Sequence, residues 1–228
     1  MGHKKIDSHT LHTISKLNHL AKVEHPLHAL NAYLPDGSFD PVVGLINQYK
    51  VHLTVTKARK SVLGDYRHAF QGANHKITVN GNLNKYEFLI TLLHELAHLL
   101  CYEQFRNRVE AHGKEWKNIY GRLLASFIQM DIFPVDIKKA LNKTLLNPAA
   151  TANGETKLLL VLRRYNEIKK EGVNWVAHIA EGTLFESLNG KIFMRGKKRR
   201  IRIECVEVAT GQIYLFSALT EVKLLPKD

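Results

Sequence analysis

An α+β fold with a small β-rich module at its C-terminal end is predicted by three observations on this 228-residue chain. Residues 85–103 are apolar nearly all round a helix, the pattern of a central, buried helix. Two short runs ahead of it, 51–56 and 75–80, alternate and are β-branched. The last third of the chain, beyond a small, Pro-containing stretch, returns to period-two alternation. An apolar fraction of 45% is ordinary for a globular protein and sufficient for a real core.

In chain order, residues 10–34 carry apolar positions at loosely helical spacing (Leu11, Ile14, Leu17, Leu20), interrupted by Pro26. Residues 35–38 read Pro-Asp-Gly-Ser, a turn. Residues 41–49 suit a short helix with Pro41 near its first position. The two strands follow, the second ended by Asn80-Gly81-Asn82, and between them 63–67 reads as a turn or a further strand. After the long helix, a second should start near His112 and run to about Met130, with Pro134 past its end, and a short helix should span 136–145. We place a linker at 147–154 and a helix at 155–170. Strand-like runs at 200–205 and 213–216 come next, joined by a turn at 209–212. This divides the chain into residues 1–146 and residues 147–228.

The net charge of +12 and pI near 9.7 argue for an acidic partner, with nucleic acid the first candidate. The excess is spread over the whole chain. One local concentration stands out, at Arg195, Lys197, Lys198, Arg199, Arg200 and Arg202. Of these, Lys197, Lys198, Arg199, Arg200 and Arg202 are the candidate nucleic-acid contacts, and Phe193, Tyr214 and Phe216 could add stacking. The competing reading is a charged hairpin edge that blocks strand-to-strand aggregation, with the three rings in the core. The two cysteines, Cys101 and Cys205, form no CxxC pair, which excludes a cysteine zinc ribbon and argues for a reducing, cytoplasmic compartment. The first residues are polar and rich in His and Lys, without the apolar stretch of a secretory signal. No apolar run is long enough to span a membrane. The histidines His3, His9, His12, His19, His25 and His28 show no ligand-like grouping.

The chemistry concentrates at His94-Glu95-Leu96-Ala97-His98. Two histidines four apart on a helix share a face and can converge on one metal ion. Glu95, next to the first, can take a proton from a zinc-activated water without ligating the metal, so the spacing supplies two ligands and one base. These ionisable groups interrupt an otherwise apolar helix, where burial is costly unless they are paired or metal-bound. A catalytic zinc needs a third protein ligand. Downstream candidates are Glu103, Glu110, His112 and Glu115. We favour His112, 14 residues after His98, because Gly113 lets the chain turn back there. Glu110 is the second choice, and His68 and His75 are weaker ones. Tyr66 and Arg67, with Tyr102, are candidates for oxyanion or substrate contacts. Trp116 is expected to pack behind the zinc-binding hairpin.

These residues, together with Leu63-Gly64-Asp65-Tyr66-Arg67, the strand 75–80, Asn82-Leu83-Asn84 and His112-Gly113-Lys114-Glu115-Trp116-Lys117, resemble the SprT-like (Spartan-type) zinc metallopeptidases. The resemblance implies a zincin-like core with Zn2+ on His94, His98 and His112 and Glu95 as general base. It also implies cleavage of proteins bound or crosslinked to DNA, with DNA stimulating activity. Many members carry a cysteine zinc ribbon after the catalytic region. Here Cys205 stands alone in the tail, so a ribbon's role does not carry over.

The leading expectation is therefore a zinc-dependent endopeptidase acting on protein substrates, DNA-associated proteins among them, by Glu-assisted attack of a zinc-bound water. A nucleic-acid-binding protein with a structural or vestigial zinc site is the alternative. A metal hydrolase of another bond is a third reading, which the motif alone does not exclude.

Overall fold

The computed structural model describes residues 27–59, 62–146, 156–166, 172–200 and 202–225. The helical spacing at Leu11 to Leu20, the histidines before residue 26, the linker at 147–154 and the far end of the helix expected at 155–170 lie outside these residues. None of the described helices is long and apolar enough to cross a membrane.

The described residues begin with a 3-10 turn, His28–Ala32, within the 10–34 stretch whose loosely helical spacing Pro26 interrupts. The turn at Asp36-Gly37 follows, with Gly37 at φ +80, a conformation that costs glycine little. Helix α1, Phe39–Gln48, takes Pro41 into its first turn, where a missing N–H breaks no helical bond. Strands β1 (His52–Thr56), β2 (Gly64–Arg67) and β3 (Lys76–Asn80) form a sheet of order β1-β3-β2. β1 runs parallel to β3 and β2 antiparallel, in register Gly64 with Val79 and Tyr66 with Ile77. The segment left open between turn and strand is thus a strand, at the sheet edge. Buried Asn80 ties the preceding loop to it: its Oδ1 accepts from Arg59 Nε at 2.8 Å and its Nδ2 donates to Val62 O at 2.9 Å.

Helix α2, Lys85–Phe105, is the centre of the first core. Asn84 caps it by accepting from Glu87 N at 3.0 Å. Residues on every side of it are buried, from Phe88 and Leu89 to Leu99, as its all-round apolar sequence requires. Helices α3 (Lys114–Gln129) and α4 (Val135–Leu146) follow. Trp116, Leu124, Phe127, Ile137 and Leu141 from these two helices are buried in the same core. Helix α5, Thr156–Leu162, adds Leu158, Leu159 and Leu162 to it before loosening into a 3-10 turn, Arg163–Tyr165.

A second, six-stranded antiparallel sheet closes the chain, in order β4-β9-β5-β6-β7-β8. Its strands are β4 (Val173–Trp175), β5 (Leu184–Ser187), β6 (Ile192–Arg199), β7 (Arg202–Glu207), β8 (Ile213–Ser217) and β9 (Glu221–Leu224). One face carries its own small core, with Phe185, Phe193, Ile203, Cys205 and Val222 buried and Tyr214 and Phe216 packed against them. The register slips between Arg195 and Lys198, a bulge at Gly196. The three rings offered by the sequence for base stacking thus belong to this core.

Candidate metal centre

Helix α2 sets His94 and His98 one turn apart, and its end is fixed by Arg106, whose N–H donates to Tyr102 O at 2.7 Å. The loop beyond returns the chain to that face. His112 sits in the left-handed region, at φ 62, so it cannot begin a helix as the sequence reading had it; α3 starts two residues later, behind Gly113. A Cβ on Gly113 would come within 3.0 Å of Glu110 O, so glycine permits the tight return. The result is a cluster of three imidazoles. His94 Nε2 lies 3.2 Å from His112 Nε2 and 3.3 Å from His98 Nε2. Among the described residues these three histidines form the one group of potential ligands that could hold a metal ion. Glu103, Glu110, Glu115, His68 and His75 are not part of it.

The surroundings favour neutral rings. Burial pushes His94 down to about 3 and His98 to about 4, the neighbouring histidines adding to the shift, and burial also lowers His112. Three unprotonated nitrogens facing one another at hydrogen-bond distance repel unless a proton or a cation lies among them, and neutral imidazole nitrogen is a good donor to zinc. The donor set fits a divalent metal. Trp116, fully buried, floors the cluster, with its ring 4.7 Å from His94 and 4.6 Å from His112 and stacked on Tyr120 at 5.0 Å.

Glu95 is buried on the neighbouring face of α2, against edge strand β2. A Cβ on Gly64 would meet Glu95 Oε1 at 2.7 Å and Thr91 Cγ2 at 2.9 Å, so strand and helix pack here without room for a side chain. Burial first, and Asp65 second, raise the Glu95 carboxyl to about 8, with Arg59 pulling the other way. A divalent cation in the histidine cluster would favour the ionised form.

Tyr66, also on β2, lies parallel to the His98 ring, with centroids 6.4 Å apart. His75 holds it. The Ala69 N–H donates to His75 Nδ1 at 3.2 Å, so that nitrogen carries no proton and accepts from the Tyr66 hydroxyl as well, at 3.0 Å. Nε2–H then faces Glu103 Oε1 at 3.3 Å. Burial, with Glu103 nearby, keeps the Tyr66 phenol protonated well above its ordinary range. Arg67 is exposed and pairs with Asp65 at 3.1 Å. Lys197, Lys198, Arg199, Arg200 and Arg202 lie exposed around the β6–β7 turn in the second sheet.

Sequence reasoning weighed His75 at the site only as a ligand and gave Gly64, Asp65 and Arg59 no part in it. The available signal was weak: a glycine opening a short alternating run marks close backbone approach, but not to what. A family model described as SprT-like family matches residues 27–139. No curated protein matches the chain, nor does any solved structure.

Proposed function

Since the chain belongs to the SprT-like family over residues 27–139, we propose that it is a zinc metalloendopeptidase with a zincin-like core. The observation that carries this reading is the convergence of His94, His98 and His112 beside a buried Glu95. Zinc held by the three histidines supplies Lewis acidity toward water and toward the substrate carbonyl. Glu95 accepts the proton of the attacking water on its carboxylate and delivers it to the leaving amine. Tyr66, kept protonated beside His75, would serve the developing oxyanion by turning its O–H away from His75 Nδ1, to which it donates in this structure. Strand β2, on the sheet edge beside Glu95 and paired on one side among the described residues, offers its other side to an extended substrate segment. Proteins are accordingly the substrate class, and the +12 charge puts DNA-associated proteins first among those to try.

The test is Glu95→Gln, assayed on an unfolded protein substrate beside zinc content. Turnover should vanish while one zinc per chain stays bound. Activity near that of the wild type would overturn the assigned base.

A further inference from the structure

Among the described residues, the second sheet buries one face and leaves the other open. Register places Leu184 beside Met194, Met194 beside Val206, and Val206 beside Ile213, so one apolar row crosses β5, β6, β7 and β8. Leu184, Met194 and Ile213 are 43%, 41% and 62% exposed, and Leu215, one step along β8, is 58% exposed. A contiguous patch of this kind marks an interaction surface more often than scattered exposed residues do.

The same face changes character along the strands. Beyond Glu204 opposite Leu215 come Arg202 opposite Ser217 and Arg199 opposite Arg202, and then Arg200 at the turn. Arg199 is ion-paired with Glu204 at 2.8 Å, whereas Lys197, Arg200 and Arg202 make no ion pair among the described residues. From Val206 to Arg202 is four residues of strand, roughly 13 Å. The face is thus an apolar row with an uncompensated cationic end.

Among the described residues, strand β8 forms one edge of the sheet and pairs only with β7. Its sequence, Ile-Tyr-Leu-Phe-Ser, contains no charge and no proline, the usual protections of a free edge. Phe185, Phe193, Tyr214 and Phe216 cannot serve as a base-stacking platform, because all four pack on the covered side.

We propose that this open face and the β8 edge dock an extended polypeptide segment that carries aliphatic side chains followed by acidic ones. The segment would add a strand beside Ile213–Ser217, set its aliphatic residues against Ile213 and Leu215, and bring its carboxylates to Lys197, Arg200 and Arg202. Docking of this kind is independent of whether the metal centre hydrolyses peptides.

The experiment uses the full chain carrying Glu95→Gln, so that a bound peptide survives. A fluorescein-labelled dodecapeptide, with valine and serine alternating in one half and glutamate filling the other, is titrated by anisotropy. A peptide with lysine in place of glutamate and an oligo(dT) strand are run beside it. The acidic peptide should bind. Ile213→Ser with Leu215→Ser should weaken it about tenfold, the loss of apolar anchors. So should Lys197→Glu with Arg200→Glu and Arg202→Glu. The lysine peptide should not bind. Exposed-to-polar changes of this size are chosen to spare the fold, and unchanged zinc content with a retained near-ultraviolet spectrum checks it. No binding of the acidic peptide overturns the proposal. Preference for oligo(dT), with the serine substitutions silent, overturns it in favour of a phosphate-binding surface. A dimer in sedimentation that the serine substitutions dissociate overturns it in favour of a second copy.

Discussion

Gly64→Ala tests the contact between the edge strand and the metal-bearing helix. The added methyl would stand 2.7 Å from Glu95 Oε1, 2.9 Å from Glu95 Cγ and 2.9 Å from Thr91 Cγ2. Ordinary carbon contacts need roughly half an ångström more. Thr91 is buried and β-branched on a helix, so it has little rotamer freedom to withdraw. Glu95 is flexible but likewise buried, so its carboxylate must shift or the strand must lift away. Overpacking of this kind costs about 1–3 kcal/mol. A catalytic group misplaced by about 1 Å loses on the order of a hundredfold in rate. Urea unfolding of the zinc-loaded protein reads the first effect, and kcat on an unfolded protein substrate reads the second. Zinc content should not change, because His94, His98 and His112 lie off this contact. Wild-type stability together with wild-type kcat would refute the reasoning. Lost stability with unchanged kcat would leave the packing argument intact and remove Gly64 from the positioning of Glu95.

His112→Ala should lower the bound zinc measured by elemental analysis from one per chain to a weak, washable fraction, because two ligands four apart on one helix do not complete a site; full retention would place the third ligand elsewhere. In the metal-free protein, the Glu95 carboxyl is raised from its ordinary 4.5 to about 8, so the fold holds a proton that the unfolded chain releases. That group's contribution to stability should therefore fall as pH rises from about 4.5 to about 8; the lowered His94 and His98 raise stability with pH up to about 6.5, so the net fall belongs to the window from about 6.5 to about 8. Glu95→Gln should remove that slope, for a difference on the order of a few kcal/mol at the upper end, and melts at several pH values that stay parallel would contradict it. His75→Leu strands the Ala69 N–H and the Tyr66 hydroxyl, at a cost of about 1–3 kcal/mol. It should lower kcat more than it raises KM while zinc stays bound, and an unchanged kcat would free Tyr66 of any role in the reaction.

Much of the site was legible in the chain itself. The spacing of His94, Glu95 and His98 implies shared and adjacent helix faces wherever the helix lies, because 3.6 residues per turn is a local property. The all-round apolar sequence around them foretold a central helix for the same reason. The alternating runs gave the strands, since side-chain direction in a strand also repeats locally. Favouring His112 was reasoning from need: a third ligand was wanted, and Gly113 made a return of the chain affordable.

Tertiary structure decided the rest, because it depends on which surfaces meet across long sequence separations. The left-handed turn at His112, which starts α3 two residues later than expected, follows from closing the histidine cluster. Whether 63–67 was a turn or a strand depended on pairing with β3, a partner no local pattern names. Gly64 had no assigned role until Glu95 and Thr91 were packed against it. His75 read as a spare ligand until Ala69, Tyr66 and Glu103 claimed both its nitrogens. Composition and periodicity fix what each segment wants to bury. Only the assembled fold, where buried polar groups must find partners and close-packed atoms must not overlap, fixes against what.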